Sequence, residues 1–237
     1  MQTILVPPLL CSPQVYAPVV DTAWSYGAVT IADTRRDDTI AGMAARLLRD
    51  APQRFALLGT SMGGYVALEV IRQAPGRVAG LALVSTSARA DSSEQLAARL
   101  RQSQLVARGR FDELVDAAFR GVVAERHEAD AELLRTWRNM AATVGAQDFM
   151  LQQAAVVARA DSRDLLARIS CPTFVIHGAE DRLIPVESSD EIAAGVSGAA
   201  LRLVAEAGHF LFLEQPAAAA AVVDEFLATV SEAVGNE

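Results

Sequence analysis

Apolar positions along the chain alternate between two kinds of segment. Short, nearly continuous apolar runs occupy residues 3–6, 28–33, 55–59, 81–85, 173–177 and 201–204. Runs this short, with few polar interruptions, predict strands buried on both faces, as in a parallel sheet. Between them apolar residues recur at helical spacing. Ile40, Met43, Leu47 and Leu48 share one face after a candidate cap at Asp38. A closing helix starts at Pro216, the favoured first helical position, and carries Val223, Leu227 and Val230 on one side. Strand and helix therefore alternate as βαβ units require, which predicts an α/β fold with helices on both faces of a mostly parallel sheet.

The alternation lapses across residues 88–160, where only helical patterns occur. Ser92, Ser93, Glu94 and Gln95 match a capping box. Phe111, Leu114, Val115, Ala118 and Phe119 repeat at helical spacing, and Leu133, Trp137, Met140 and Val144 form a stripe that stops at Gly145. The expectation is a cap, or lid, of about four helices at 88–160, inserted into a core made of residues 1–87 and 161–237. Most large apolar side chains of the insertion should hold its helices together. Phe119, Trp137, Met140, Phe149 and Met150 are the candidates to wall an apolar pocket. No internal repeat is present, and the alanines at 217–221 extend a helix.

Composition narrows the partners. A chain of 237 residues that is 51% hydrophobic can bury one large core, so a single domain with an insertion is expected. The formal charge is -8 and all cations are arginine, which argues against a nucleic-acid partner. The opening residues MQTILVPPLLCSP lack the charged start of a secretory leader and read as a strand. No apolar run is long enough for a membrane helix, and two distant cysteines suggest no disulfide framework. A reduced, cytoplasmic setting is expected, with Cys11 and Cys171 as free thiols. Nothing in the pattern bears on oligomeric state.

The chemistry concentrates at three strand ends. The run 55–59 leads into Gly-Thr-Ser-Met-Gly at 59–63 and directly into a helical pattern. A strand, a GxSxG turn and a helix form the context of a nucleophile elbow, which projects the Ser61 hydroxyl towards the free amides of a helix N-terminus. Serine needs a base, and three histidines compete. His127 lies among charges in Glu-Arg-His-Glu at 125–128, which predicts a solvated surface residue. His177 ends a strand. His209 follows the last strand by a short loop, where it can reach an elbow serine at the same sheet edge. Asp181 follows the strand at 173–177 and is the candidate to orient His209, with Glu180 as its neighbouring competitor. The resulting chain order is Ser, Asp, His. Three histidines in unrelated contexts argue against zinc, and no GxGxxG follows the first strand, so neither metal nor dinucleotide cofactor is expected.

GTSMGGYVAL at 59–68, HGAEDRLIP at 177–185 and EAGHFLFLEQP at 206–216 together resemble α/β-hydrolases of the esterase, lactonase and perhydrolase type, from end to end. The resemblance implies a sheet of about six strands, the chain starting after the family's first two. It also implies an oxyanion hole. The family has His-Gly after its first core strand, where this chain reads Val6, Pro7, Pro8, Leu9, Leu10. Proline has no N–H, so the carry-over falls on the amide of Leu9, with Leu10 beside it on the pocket wall, and on the amide of Met62. The expected function is hydrolysis of a carboxylic ester with a small or medium apolar acyl group. Lactone, thioester or carbon–carbon bond hydrolysis are alternatives sharing the same residues, and a ligand-binding protein without turnover is the alternative of another class.

Overall fold

The six apolar runs become six strands, and the computed structural model describes residues 1–235. The strands are β1 (Thr3–Val6), β2 (Val29–Ile31), β3 (Phe55–Thr60), β4 (Val78–Val84), β5 (Thr173–Gly178) and β6 (Ala200–Val204). They form one parallel sheet in the order β2-β1-β3-β4-β5-β6. β2 is shorter than the run at 28–33 and lies at one edge of the sheet, with Thr30 exposed. β4 starts three residues before the run at 81–85. Gly80 reads as an interruption, yet it lies within the strand, where a Cβ would meet Val230 at 2.1 Å.

Ten α-helices among the described residues accompany the sheet: α1 (Ala17–Ser25), α2 (Ile40–Asp50), α3 (Met62–Gln73), α4 (Ser93–Ala107), α5 (Phe111–Val122), α6 (Ala131–Val157), α7 (Arg163–Leu166), α8 (Glu187–Gly195), α9 (Leu211–Glu214) and α10 (Pro216–Gly235). The cap of α2 is Thr39, not Asp38. Thr39 has extended backbone and its hydroxyl accepts from the Gly42 amide at 3.1 Å, a reach that Asp38 misses by one position. The capping box of α4 forms in both directions, between Ser92 and Gln95. Between β4 and β5 lie α4, α5, α6 and α7, with α6 broken by non-helical backbone at Gly145.

Successive residues of a strand point to opposite faces, so each continuous apolar run feeds two cores. Leu5, Leu58, Val84 and Ile176 face α1 and α10, and this core continues into α5 and α6 through Val115, Phe119 and Trp137. Ile4, Val6, Leu57, Leu83 and Val175 face α2, α3 and α8. Each such side chain, fully buried, contributes roughly 1.5 to 3 kcal/mol by removal from water.

A parallel sheet places every strand's C-terminal end at one edge. Among the described residues, four non-glycine residues have positive φ: Leu10 (64°), Ser61 (52°), Ser85 (44°) and Glu206 (59°). All four follow the ends of β1, β3, β4 or β6. Side chains meet steric resistance in that region, so backbone strain is concentrated at this edge. No helix among the described residues is long and apolar enough to cross a membrane.

Candidate active site

At the end of β3 the chain reverses sharply into α3 at Ser61, whose φ and ψ are 52° and -114°. The strained backbone is held by main-chain hydrogen bonds that leave the side chain free. Ser61 N–H donates to the Val84 carbonyl at 2.8 Å, and its carbonyl accepts from Gly64 N–H and the Thr86 hydroxyl, both at 2.8 Å. The turn brings the first turn of α3 against the end of β1. A Cβ at Gly63 would stand 1.9 Å from the Val6 carbonyl oxygen, and one at Gly59 would stand 2.2 Å from that of Gly63. Only glycine permits this approach.

Asp181 sits in the loop after β5. Its Oδ1 accepts from the amides of Leu183 (2.8 Å) and Ile184 (3.0 Å), which turns Oδ2 towards His209 Nδ1 at 2.8 Å. Both side chains are buried, at 0% and 2% exposure. Burial pushes the Asp181 carboxyl up, but the charge and hydrogen bond of His209, the Ile184 amide and His177 outweigh it and hold the group below its ordinary range. With Nδ1 donating to Asp181, the neutral ring presents Nε2 as an acceptor. Glu180 is turned elsewhere, pairing with Arg126 at 2.8 Å.

The loop of His209 is fixed from an unexpected direction. Buried Glu214 accepts from the amides of Gly208 (3.0 Å) and Phe210 (3.0 Å), on either side of His209, and from Ala124 N–H at 2.7 Å. Burial pushes its carboxyl up against the pull of these amides. Phe210 N–H also reaches the Val122 carbonyl, so this loop is tied to the end of α5.

The other histidines stand apart from the cavity. His177 is fully buried, with Nδ1 against the Ser189 hydroxyl (2.8 Å) and Nε2 against the Ile184 carbonyl (3.1 Å), and Nε2 lies 3.8 Å from Asp181 Oδ2. Burial holds its pKa below the ordinary value. His127 is not the solvated residue its neighbours suggested. It is half-buried, and its Nε2 is enclosed without a hydrogen-bond partner.

Ser61 and His209 line a cavity of about 330 Å³, together with Leu9 and Met62. Neither the Ser61 hydroxyl nor His209 Nε2 has a partner within the described residues, and the amides of Leu9 and Met62 are likewise uncommitted. The proline pair leads into a turn in which Cys11 N–H donates to the Pro8 carbonyl at 3.2 Å and Leu10 takes the positive φ. Leu10 N–H donates to the side chain of Gln152 at 3.1 Å, which leaves Leu9 as the open amide of that turn.

Of the pocket candidates, Leu10, Trp137 and Phe149 line this cavity, whereas Phe119, Met140 and Met150 do not. On α5 the lining face carries Leu114, Ala118 and Val122, and Phe119 is turned about 100° away, into the core shared with α6. Met140 is fully buried one turn past Trp137. Tyr65 and Phe210 also line the cavity, and their places one turn after Ser61 and next to His209 were the available signals. Gln152 gave no signal, because its partners are Leu10 and the Thr34 hydroxyl (3.1 Å), both more than a hundred residues away. Gln152→Leu should strand two buried polar groups and cost about 1 to 3 kcal/mol. An unchanged thermal midpoint would show that the turn is held without it.

Cys11 and Cys171 are free, and no group of three or more His, Cys, Asp or Glu suited to a metal occurs among the described residues. A model described as "Alpha/beta hydrolase family" matches residues 8–222. Among curated relatives, the pimeloyl-[acyl-carrier protein] methyl ester esterase of Methylococcus capsulatus is 28% identical over 81% of this chain and 78% of its own. That of Neisseria meningitidis serogroup B is 30% identical over 78% and 72%. Among solved structures, a thermophilic esterase from Thermogutta terrifontis (malate bound) superposes with a TM-score of 0.88 at 25% identity, covering 97% of this chain and 90% of that one. The enol-lactonase from Burkholderia xenovorans gives 0.86 at 24% identity, covering 96% and 91%.

Proposed function

The chain belongs to the alpha/beta hydrolase family, and we propose that it is a serine hydrolase cleaving a carboxylic ester through an acyl-enzyme on Ser61. The observation that carries this reading is the 2.8 Å contact of His209 Nδ1 with Asp181, beside a strained elbow whose serine shares one cavity with His209. The esterase relatives support an ester as the bond cleaved.

In the proposed reaction Ser61 Oγ attacks the ester carbonyl and its proton passes to His209 Nε2. The imidazolium so formed is stabilised by Asp181. The amides of Leu9 and Met62 receive the oxyanion, and the positive end of α3 adds to its stabilisation. The tetrahedral intermediate collapses as His209 gives the proton to the leaving alkoxide. Water, activated by the same histidine, then releases the acid and restores Ser61. A hydrogen bond between Ser61 and His209 that is open in the free enzyme commonly tightens when substrate binds. Labelling by a fluorophosphonate probe tests this reading. The adduct is expected on the peptide containing Ser61, and an unlabelled, folded protein would remove it.

Residues 88–160 are proposed as a cap over a core of residues 1–87 and 161–237. Support comes from the helices between β4 and β5, which supply Gln95, Leu114, Trp137 and Phe149 to the cavity that also holds Ser61. Trp137 both lines the cavity and packs: its Nε1 donates to the Val115 carbonyl at 2.7 Å, and its ring meets Phe210 edge-on at 5.3 Å. Trp137→Ala should therefore cost roughly 3 to 5 kcal/mol of stability. It should also shift preference among acyl chain lengths by about tenfold or more. A lowered midpoint with an unaltered chain-length profile would take Trp137 out of the substrate site.

A further inference from the structure

The cavity wall is charged in one place. Among the described residues that line it, Arg99 is the one permanently charged side chain, and no Asp or Glu lines it, in a chain of net charge -8. Arg99 lies on α4, a helix of the insertion, and is four-fifths buried. Its Nε is bonded to Asp91, and its Nη1 donates to Gln153 at 3.1 Å. Nη2 has no partner within the described residues.

Asp91 does not neutralise this arginine by itself, because it is shared. Its side chain is 1% exposed, and it also pairs with Arg159 at 2.7 Å. Arg159 is itself buried, lies 4.1 Å over the ring of Tyr65, and otherwise donates to the carbonyls of Arg89 and Val156. Two guanidiniums therefore share one carboxylate, and the cluster keeps one positive charge with little access to water. An uncompensated charge in such a place is costly unless something pairs with it. The neighbouring lining groups are also donors. Gln102 accepts from Gln153 through Oε1 at 2.8 Å, which leaves its amide N–H groups uncommitted, and the Tyr65 hydroxyl has no partner within the described residues.

We propose that the substrate carries a second, ionised carboxylate remote from the scissile ester, and that Arg99 recognises it. The proposal rests on the serine-hydrolase reading above. A carboxylate suits this site because one guanidinium edge with neutral donors matches a planar, singly charged acceptor, whereas a phosphate dianion calls for more cationic charge. The volume of about 330 Å³ favours a short or medium chain between the two ends. The substrate class is then a half-ester of a dicarboxylic acid, or an ester whose alcohol half bears the carboxylate.

Two matched series test this near neutral pH. The first compares monomethyl with dimethyl esters of dicarboxylic acids containing four to seven carbons. The second compares acetyl esters of hydroxy acids with acetyl esters of their methyl-capped forms. In one series or the other, kcat/KM should favour the ionised member by roughly 10- to 100-fold, which identifies the half that carries the charge. Arg99→Gln should bring that ratio to about one, and Arg99→Lys should keep part of it. Calorimetric binding of the same pairs to Ser61→Ala should rank them alike without any turnover. Equal or lower kcat/KM for the ionised member in both series, with hydrolysis still dependent on Ser61, would overturn the anion site and leave the hydrolase reading intact. Discriminating binding without hydrolysis of any ester would do the reverse. A preference that survives Arg99→Gln in folded protein would also overturn the assignment.

Discussion

Ser61→Ala is expected to lower ester turnover by a factor on the order of 10⁴ or more while the fold survives. The expected separation of the two effects comes from how the elbow is held. Its backbone is fixed by Val84, Gly64 and Thr86 through main-chain atoms of residue 61, and the Ser61 side chain makes no cap bond to α3. Removing Oγ therefore leaves no buried donor or acceptor unpaired. The thermal midpoint should stay close to that of the wild type, and kcat/KM on a p-nitrophenyl ester should collapse. Near-normal turnover by the folded variant would end the case for Ser61 as nucleophile.

Asp181→Asn is expected to cost about 10⁴ in turnover, with Glu180→Gln nearly silent. An amide at 181 can present its NH₂ to Nδ1, which favours the tautomer that places the proton on Nε2 and so disables it as a base. Glu180 instead meets Arg126, with both side chains more than a third exposed, and an exposed pair is worth at most about 1 kcal/mol. Stability adds a second readout. The Asp181 carboxyl is held below its ordinary range in the fold, so its contribution is present above the unfolded carboxylate pKa and is lost as pH falls through the folded value. The midpoint of the wild type should fall faster than that of Asp181→Asn as the medium is acidified. Full activity in Asp181→Asn with loss in Glu180→Gln would transfer the role to Glu180.

Local pattern was enough for much of this molecule. Six apolar runs, a GxSxG turn between strand and helix, and a histidine and an aspartate after later strands all depend on near neighbours in the chain. A parallel sheet then brings those strand ends to one edge, whatever the loops contain. The cap of α2 was missed by one residue because Asp38 and Thr39 can both cap, and only the backbone at 39 decides which hydroxyl or carboxylate reaches the Gly42 amide. The start of β4 was missed because Gly80 reads as a break until Val230 of α10 fills the space of its absent Cβ.

Tertiary structure alone decided how the site is braced and what its wall presents. Glu214 reaches the amides around His209 and the distant Ala124, Gln152 holds Leu10 across 142 residues, and His177 is packed against Asp181. Helical periodicity marked Phe119 and Met140 as apolar, as it did Trp137, but it could not say which face each neighbouring helix would cover. The charge facing the cavity was equally hidden. Arg99, Asp91 and Arg159 are ordinary surface-type residues in sequence, and only folding gathers two guanidiniums around one buried carboxylate, where the low dielectric strengthens their charges.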